Sequence, residues 1–267
     1  MPEVGVIGGT GFYTFFEGAE RHAVETPYGE PSAEVAVGSV GEREVAFVPR
    51  HGHGHRLLPH EINYRANLWA LRSLGVTQVL APCAVGSLQA GLPPGTIAVP
   101  DQLVDRTNGR AQTYFSGGLA HVPFADPYCP AARESIFAAA ADERITVQPG
   151  GTMVVIDGPR FSTRAESQWH AAQGWLLVNM TGHPEAVLAR ELGMCYAAVA
   201  LVTDFDAGLE ADDAAVTQDD VVRIFEANLG TLRRLIAAVV PALPEERTCP
   251  CTRALDGIAP AFQTVDA

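Results

Sequence analysis

The sequence predicts an α/β fold in one domain, a central β-sheet flanked by helices. Three observations carry that expectation. The second half alternates apolar strand-like runs with helical segments, the pattern of a sheet with helices on its faces. The first half consists of short β-branched runs cut by glycine turns. The chain's 267 residues, 47% hydrophobic and 18% charged, suffice to bury one large core without dividing into two.

Val4 to Ile7 reads as the first strand and runs into Gly8-Gly9-Thr10-Gly11. Glu34 to Val37 and Glu44 to Val48 read as two more, with Gly38 to Gly41 as the turn between them. From Asn63 to Leu74 the leucines at 68, 71 and 74 recur at helical spacing, and Gly75 stands where a left-handed residue ends a helix. Val76 to Leu80 is a buried strand ending at Ala81-Pro82-Cys83-Ala84-Val85-Gly86-Ser87, and Thr96 to Val99 is another. Asp105 to Asp126 is polar and Gly-rich, which predicts a long binding loop or lid. Then come a strand at Thr152 to Ile156, a helix at Thr163 to Ala172 and a strand at Trp175 to Asn179. Pro184 to Leu192 is a helix with proline in its first turn. Cys195 to Val202 is an apolar strand, and Asp219 to Val240 a long amphipathic helix. Residues 1–245 make the expected domain, and 246–267 an irregular tail packed on it or trailing from it.

A formal net charge of −13 repels nucleic acid and anionic membrane surfaces, so neither is an expected partner. No apolar run is long enough for a membrane span. The N-terminus enters a strand directly, without a basic stretch followed by an apolar one, so a cytoplasmic location is expected. Five scattered cysteines do not make a secreted disulfide framework. Cys249-Pro250-Cys251 leaves three readings open: a strained disulfide, half of a metal site, or two unrelated thiols.

Three clusters can carry chemistry. Gly8-Gly9-Thr10-Gly11 lets backbone N–H groups and the Thr10 hydroxyl approach an anion, or is a structural strand-end turn. Arg50-His51-Gly52-His53-Gly54-His55-Arg56 sets a guanidinium fork and imidazoles on a pliable loop, suited to capturing an oxyanion. Three alternate histidines also suggest zinc, but no completing ligand cluster stands nearby and no metal is expected there. Thr203-Asp204-Phe205-Asp206 follows an apolar strand, where ligands of open α/β sheets gather. One of its acids could accept from an amino group or, with a pKa raised by burial, protonate a leaving ring nitrogen.

These blocks resemble the 5′-methylthioadenosine phosphorylases of the trimeric purine nucleoside phosphorylase superfamily. The likeness also rests on Asn63-Tyr64-Arg65-Ala66-Asn67, Gly86-Ser87, Asp101-Gln102, Asp105-Arg106-Thr107, Gly158 to Glu166, Asn179-Met180-Thr181 and Pro184-Glu185, in family order across residues 4–225. The resemblance implies a partly barrel-like mixed sheet. It implies that Thr10, Arg50, His51, Ala84 and Thr181 bind phosphate, with phosphate as co-substrate and no cofactor. It sets the purine near Phe161 with Asp204 and Asp206 as the catalytic acids at N7 and the 6-amino group, and Met180 against the ribose. It aligns Gln218 and Val221 with the pocket for the 5′ substituent, where a polar Gln218 would be costly unless paired. It also implies a homotrimer, or a hexamer of two, in which His121 reaches a neighbouring subunit's site. The chain departs from the pattern at Cys83, where the family has Thr, and at Gly182-His183 and Ala207-Gly208. The expected reaction is phosphate-dependent cleavage of methylthioadenosine in purine salvage. The alternatives are a 6-oxopurine nucleoside phosphorylase, which tends to carry Asn in place of Asp204, and a catalytically silent nucleoside-binding protein.

Overall fold

The sheet is built around one long strand. In the computed structural model, which describes residues 1–9, 12, 18–116, 119–207 and 215–258, the elements follow in chain order. They are β1 (Val4–Gly8), β2 (Glu20–His22), β3 (Val35–Val40), β4 (Arg43–Pro49), α1 (Tyr64–Ser73), β5 (Gln78–Ser87), β6 (Ile97–Val99) and β7 (Gln102–Arg106). After these come α2 (Pro130–Asp142), β8 (Val147–Pro149), β9 (Thr152–Ile156), α3 (Arg164–Ala172), β10 (Leu177–Asn179), α4 (Gly182–Glu191), β11 (Cys195–Phe205) and α5 (Gln218–Ala242).

The strands form a mixed sheet in the order β2-β3-β4-β1-β5-β10-β9-β7, and β11 leads from β5 to β6 and β8. A strand has two hydrogen-bonding edges. β11 runs parallel to β5 along its whole length from Gln78 to Ser87 and takes one edge. β1 and β10 share the other: β1 pairs with residues 78–80 in parallel, and β10 with Gly86 and Ser87 in antiparallel. The sheet therefore forks at β5, and residues 81–85 face the gap between the two branches.

Helices cover both faces. Leu68, Leu71, Ala186, Leu188 and Leu192 carry α1, α4 and the segment after α4 into one buried cluster with Val79, Ala198 and Val202. On the other face Ile136, Leu232, Leu235, Ile236 and Val239 bury α2 and α5 against Val4, Leu80, Val199 and Leu201. β5 and β11 are covered from both sides, which is why they read as continuous apolar runs.

Several elements depart from the sequence reading. The strand expected to end at Leu80 continues through Pro82 to Ser87. Pro82 lies where the second edge of β5 is unpaired, so its missing N–H removes no ladder bond there. The segment expected as a loop from Asp105 begins inside β7. Gly38 pairs with Val45 within the β3–β4 hairpin, and the turn is only Gly41-Glu42, with Gly41 in the left-handed region at φ 62°. Helix α2 gave no sequence signal, because an alanine-rich helix packed against both α5 and β11 shows no polar stripe. The tail holds a short 3₁₀ turn, Pro250–Arg253, that buries Cys251.

Candidate active site

The fork opens onto a cavity of about 590 Å³. Its walls come from the end of β4 (Arg50, His51), the gap segment of β5 (Cys83 to Gly86), the turn after β10 (Met180, Thr181), the end of β11 (Asp204, Asp206), the loop with Phe161, and α5 (Gln218, Val221, Phe225). The gap leaves β5 carbonyls without strand partners, and side chains fill their place. Arg50 Nη1 donates to the Pro82 carbonyl at 3.0 Å, and Asn179 Nδ2 donates to the Ala84 carbonyl at 3.0 Å. The broken ladder and the site are thus one feature.

Arg50 is 2% exposed and held rigidly. Besides Pro82 it donates through Nη2 to the Ile7 carbonyl, and through Nε and Nη2 to the Glu185 carboxylate. Tyr196 donates its phenol to the same carboxylate at 2.9 Å. Burial opposes the charge on Arg50, but Glu185 more than offsets it, so the guanidinium stays ionised. His51 behaves differently. Burial foremost, then the neighbouring His55 and Arg50, push its pKa down to about 3, so the ring is neutral. The rings of His51 and His55 stack with centroids 4.1 Å apart. His51 Nδ1 lies 2.9 Å from the Leu57 carbonyl, an acceptor, which assigns the ring hydrogen to Nδ1 and leaves the Nε2 lone pair free to accept. Cys83, in the same wall, has its thiol pushed up to about 12 by burial and is neutral.

At the end of β11 the register against β5 slips between Val202 and Asp204, leaving Thr203 as a bulge. Bulges re-aim side chains, and here Asp204 comes opposite Gly86. A Cβ at position 86 would lie 3.0 Å from Asp204 Oδ1 and 2.9 Å from Val178 Cγ1, so only glycine admits the carboxylate at that place. Burial raises the pKa of Asp204 to about 6, against a hydrogen bond from the Thr203 hydroxyl at 2.8 Å, with nearby Asp206 adding to the rise. Asp206 is also raised by burial, while the hydroxyls of Ser162 and Ser167 and the ring of His170 work against the rise.

Gly158 adopts φ 63°, and a Cβ there would lie 2.5 Å from Met180 Sδ. This close contact seats the loop carrying Phe161 on Met180. Asn179, to which the sequence reading gave no role, organises the next turn: its Oδ1 accepts from the backbone N–H of Thr181 at 2.7 Å and of Gly182 at 2.6 Å. An Asn just before a helix start is the signal that could have found it.

Of the residues singled out from sequence, Arg50, His51, Ala84, Phe161, Met180, Thr181, Asp204, Asp206, Gln218 and Val221 line this single cavity. Thr10 lies outside the described residues. His121 does not line the cavity of its own chain and is exposed. Gln218 is exposed in the first turn of α5, at the cavity wall. Glu185, Asn179 and Gly158 stand within motifs of the resemblance, which gives them no role. Among the described residues, the grouping of three or more metal-capable side chains lies outside this cavity.

Residues 3–241 match the family model of the phosphorylase superfamily. Over 247 residues the chain is 62% identical to an S-methyl-5′-thioadenosine phosphorylase of Mycolicibacterium smegmatis, covering 92% of this chain and 93% of that one. It is 54% identical over 271 residues to a purine nucleoside phosphorylase of Streptomyces coelicolor, covering 97% and 96%. Among solved structures, the methylthioadenosine phosphorylase of Schistosoma mansoni in complex with adenine superposes with a TM-score of 0.88 at 38% identity, covering 92% of this chain and 93% of that one.

Proposed function

The chain belongs to the phosphorylase superfamily and to its S-methyl-5′-thioadenosine phosphorylase family, and on that premise we propose that it cleaves 5′-methylthioadenosine with inorganic phosphate. The products are adenine and 5-methylthioribose 1-phosphate. The observation that carries the reading is one cavity uniting a fixed guanidinium, a neutral imidazole and a carboxylic acid with a pKa near 6.

Arg50 and the Thr181 end of α4 hold phosphate, aided by the Ala84 segment and by Thr10. His51 Nε2 accepts from the phosphate hydroxyl, which orients the monohydrogen dianion with a bare oxygen toward C1′. As the C1′–N9 bond lengthens, its electron pair moves into the purine and positive charge develops on the ribose. Phosphate stabilises that charge and then bonds to C1′. Asp204 gives its proton to purine N7, so adenine leaves neutral, and Asp206 accepts from the 6-amino group. The hydroxyl proton of phosphate, lost as the sugar phosphate dianion forms, restores Asp204. No step calls for a cofactor.

Val221, Val222 and Phe225 give the cavity an apolar flank on α5, suited to a methylthio group. Leu58 and Val222, which line the cavity, are exposed by 41% and 37%, and Leu119, two residues before His121, by 85%. Exposed apolar surface of this kind fits a homotrimer in which the His121 loop of one subunit covers the 5′ end of its neighbour's site. A cytoplasmic location fits that role, and among the described residues no helix is long and apolar enough to cross a membrane.

One observation favours a second reading. Protonated Asp204 can donate a hydrogen bond to a 6-oxo group, as an amide would. Incubation with methylthioadenosine, adenosine, inosine and methylthioinosine, with and without phosphate, separates the cases. Phosphate-dependent adenine release, fastest from methylthioadenosine, is expected. Faster release from the inosine compounds would establish the 6-oxopurine reading, and release without phosphate would make the enzyme a hydrolase.

A further inference from the structure

Four of the five cysteines meet at one buried point away from the cavity. Cys129 is the N-cap of α2, Cys195 is the first residue of β11, and Cys249 and Cys251 flank Pro250 in the turn that follows α5. Their sulfur atoms all lie within 4.8 Å of one another, and Cys195 Sγ is 3.3 Å from Cys249 Sγ. None is more than 6% exposed.

From this geometry we propose that the reduced thiols hold one zinc ion as a closed tetrathiolate. Four sulfur ligands complete the count of a structural zinc site, and a Zn–S bond of about 2.3 Å places tetrahedral sulfurs about 3.8 Å apart. The spacing in the structure brackets that value. The four sulfurs are brought together by backbone that is already fixed. The N–H of Cys129 donates to the Tyr196 carbonyl at 2.8 Å, and that of Cys195 to the Thr77 carbonyl at 2.9 Å. The 3₁₀ turn closes through Thr252 N–H to the Cys249 carbonyl and Ala254 N–H to the Cys251 carbonyl. Four thiolates around a dication leave a net charge of −2, and the buried guanidinium of Arg190 lies close enough to act electrostatically on Cys251. Soft thiolates with no carboxylate or water in the set select zinc over magnesium or calcium.

With no open coordination position, the ion would be structural. It would tie the segment after α5 to the start of β11 and the cap of α2, three distant pieces of the chain that no disulfide joins in this structure. Because α5 carries Gln218 and Val221 into the cavity, the staple fixes the far end of the helix that lines the 5′ pocket.

The test uses the full chain, expressed without an affinity-tag metal and purified without chelator. Elemental analysis is expected to find about one zinc per chain, and intact mass to show all five cysteines reduced. Unfolding and refolding with cobalt is expected to produce the visible and near-ultraviolet bands of a tetrahedral cobalt thiolate. The double variant Cys249→Ser/Cys251→Ser is expected to lose the metal and the cobalt bands and to melt several degrees lower. If that variant fails to fold, stripping zinc from the wild type under reducing conditions reads the same melting shift. Metal-free protein whose mass is four hydrogens low would overturn the proposal in favour of two disulfides. Metal-free protein with all thiols reduced and no cobalt bands would overturn it as well.

Discussion

Glu185 grips Arg50 through both carboxylate oxygens, Nε to Oε1 at 2.6 Å and Nη2 to Oε2 at 3.0 Å, across 135 residues of sequence. Both side chains are almost wholly buried, at 2% and 1% exposure. An arginine so clamped cannot swing toward an incoming anion. It offers phosphate a donor already in place, which favours binding without the entropy of ordering a free side chain.

Replacing Glu185 by Gln keeps the shape and leaves a buried guanidinium without its counter-charge, a loss of about 3–5 kcal/mol in comparable buried pairs. The expected result is a melting temperature lower by several degrees and a KM for phosphate raised 10- to 100-fold, with a smaller change in KM for the nucleoside. Phosphate titrations at saturating nucleoside check this.

Asp204 sits near pH 6 in the folded chain, above its ordinary value of 3.8. Its proton-donating form therefore declines as pH rises through about 6, and kcat/KM for the nucleoside is expected to decline with it. Asp204→Asn is expected to lower kcat by 10²- to 10⁴-fold and to flatten that limb. Stability follows the same sign. A carboxyl whose pKa is raised on folding contributes most below pH 4, and that contribution fades by about pH 6, roughly 2–3 kcal/mol in all. Denaturant melts of wild type and variant across pH 4–7 measure it.

Gly86→Ala places a methyl group against Asp204 Oδ1 and Val178. Both neighbours are fixed by strand pairing, so the carboxylate must shift. The expectation is a 10- to 100-fold loss in kcat with KM for phosphate little changed. Equal damage to phosphate binding would show that the effect is general misfolding of β5.

Cys83 presents a neutral, weakly donating thiol to the cavity. Cys83→Thr adds a hydroxyl donor of similar volume, and one added hydrogen bond is worth about 1 kcal/mol. KM for phosphate is expected to fall roughly 3- to 10-fold, read from initial rates at varied phosphate.

Much of the fold was legible because the signals are local. The leucines of α1, the proline in the first turn of α4 and the apolar run of β11 each involve residues within a few positions of one another. Where local signals are absent the reading stopped short. Helix α2 is covered on two sides, and β5 runs on through a proline because a gap in its neighbours makes that proline harmless.

Local patterning along the chain is enough for the class of fold, the segments that end at the cavity and the residue types available to phosphate and base. The states of those residues come from the tertiary structure. It made His51 a neutral acceptor and Asp204 a carboxyl near neutrality, because burial and neighbouring charge are set by chain segments far away. It also paired Arg50 with Glu185 and brought Cys129, Cys195, Cys249 and Cys251 to one point. A residue's type is written in the chain, but its charge and reach depend on the dielectric and the partners that folding puts around it.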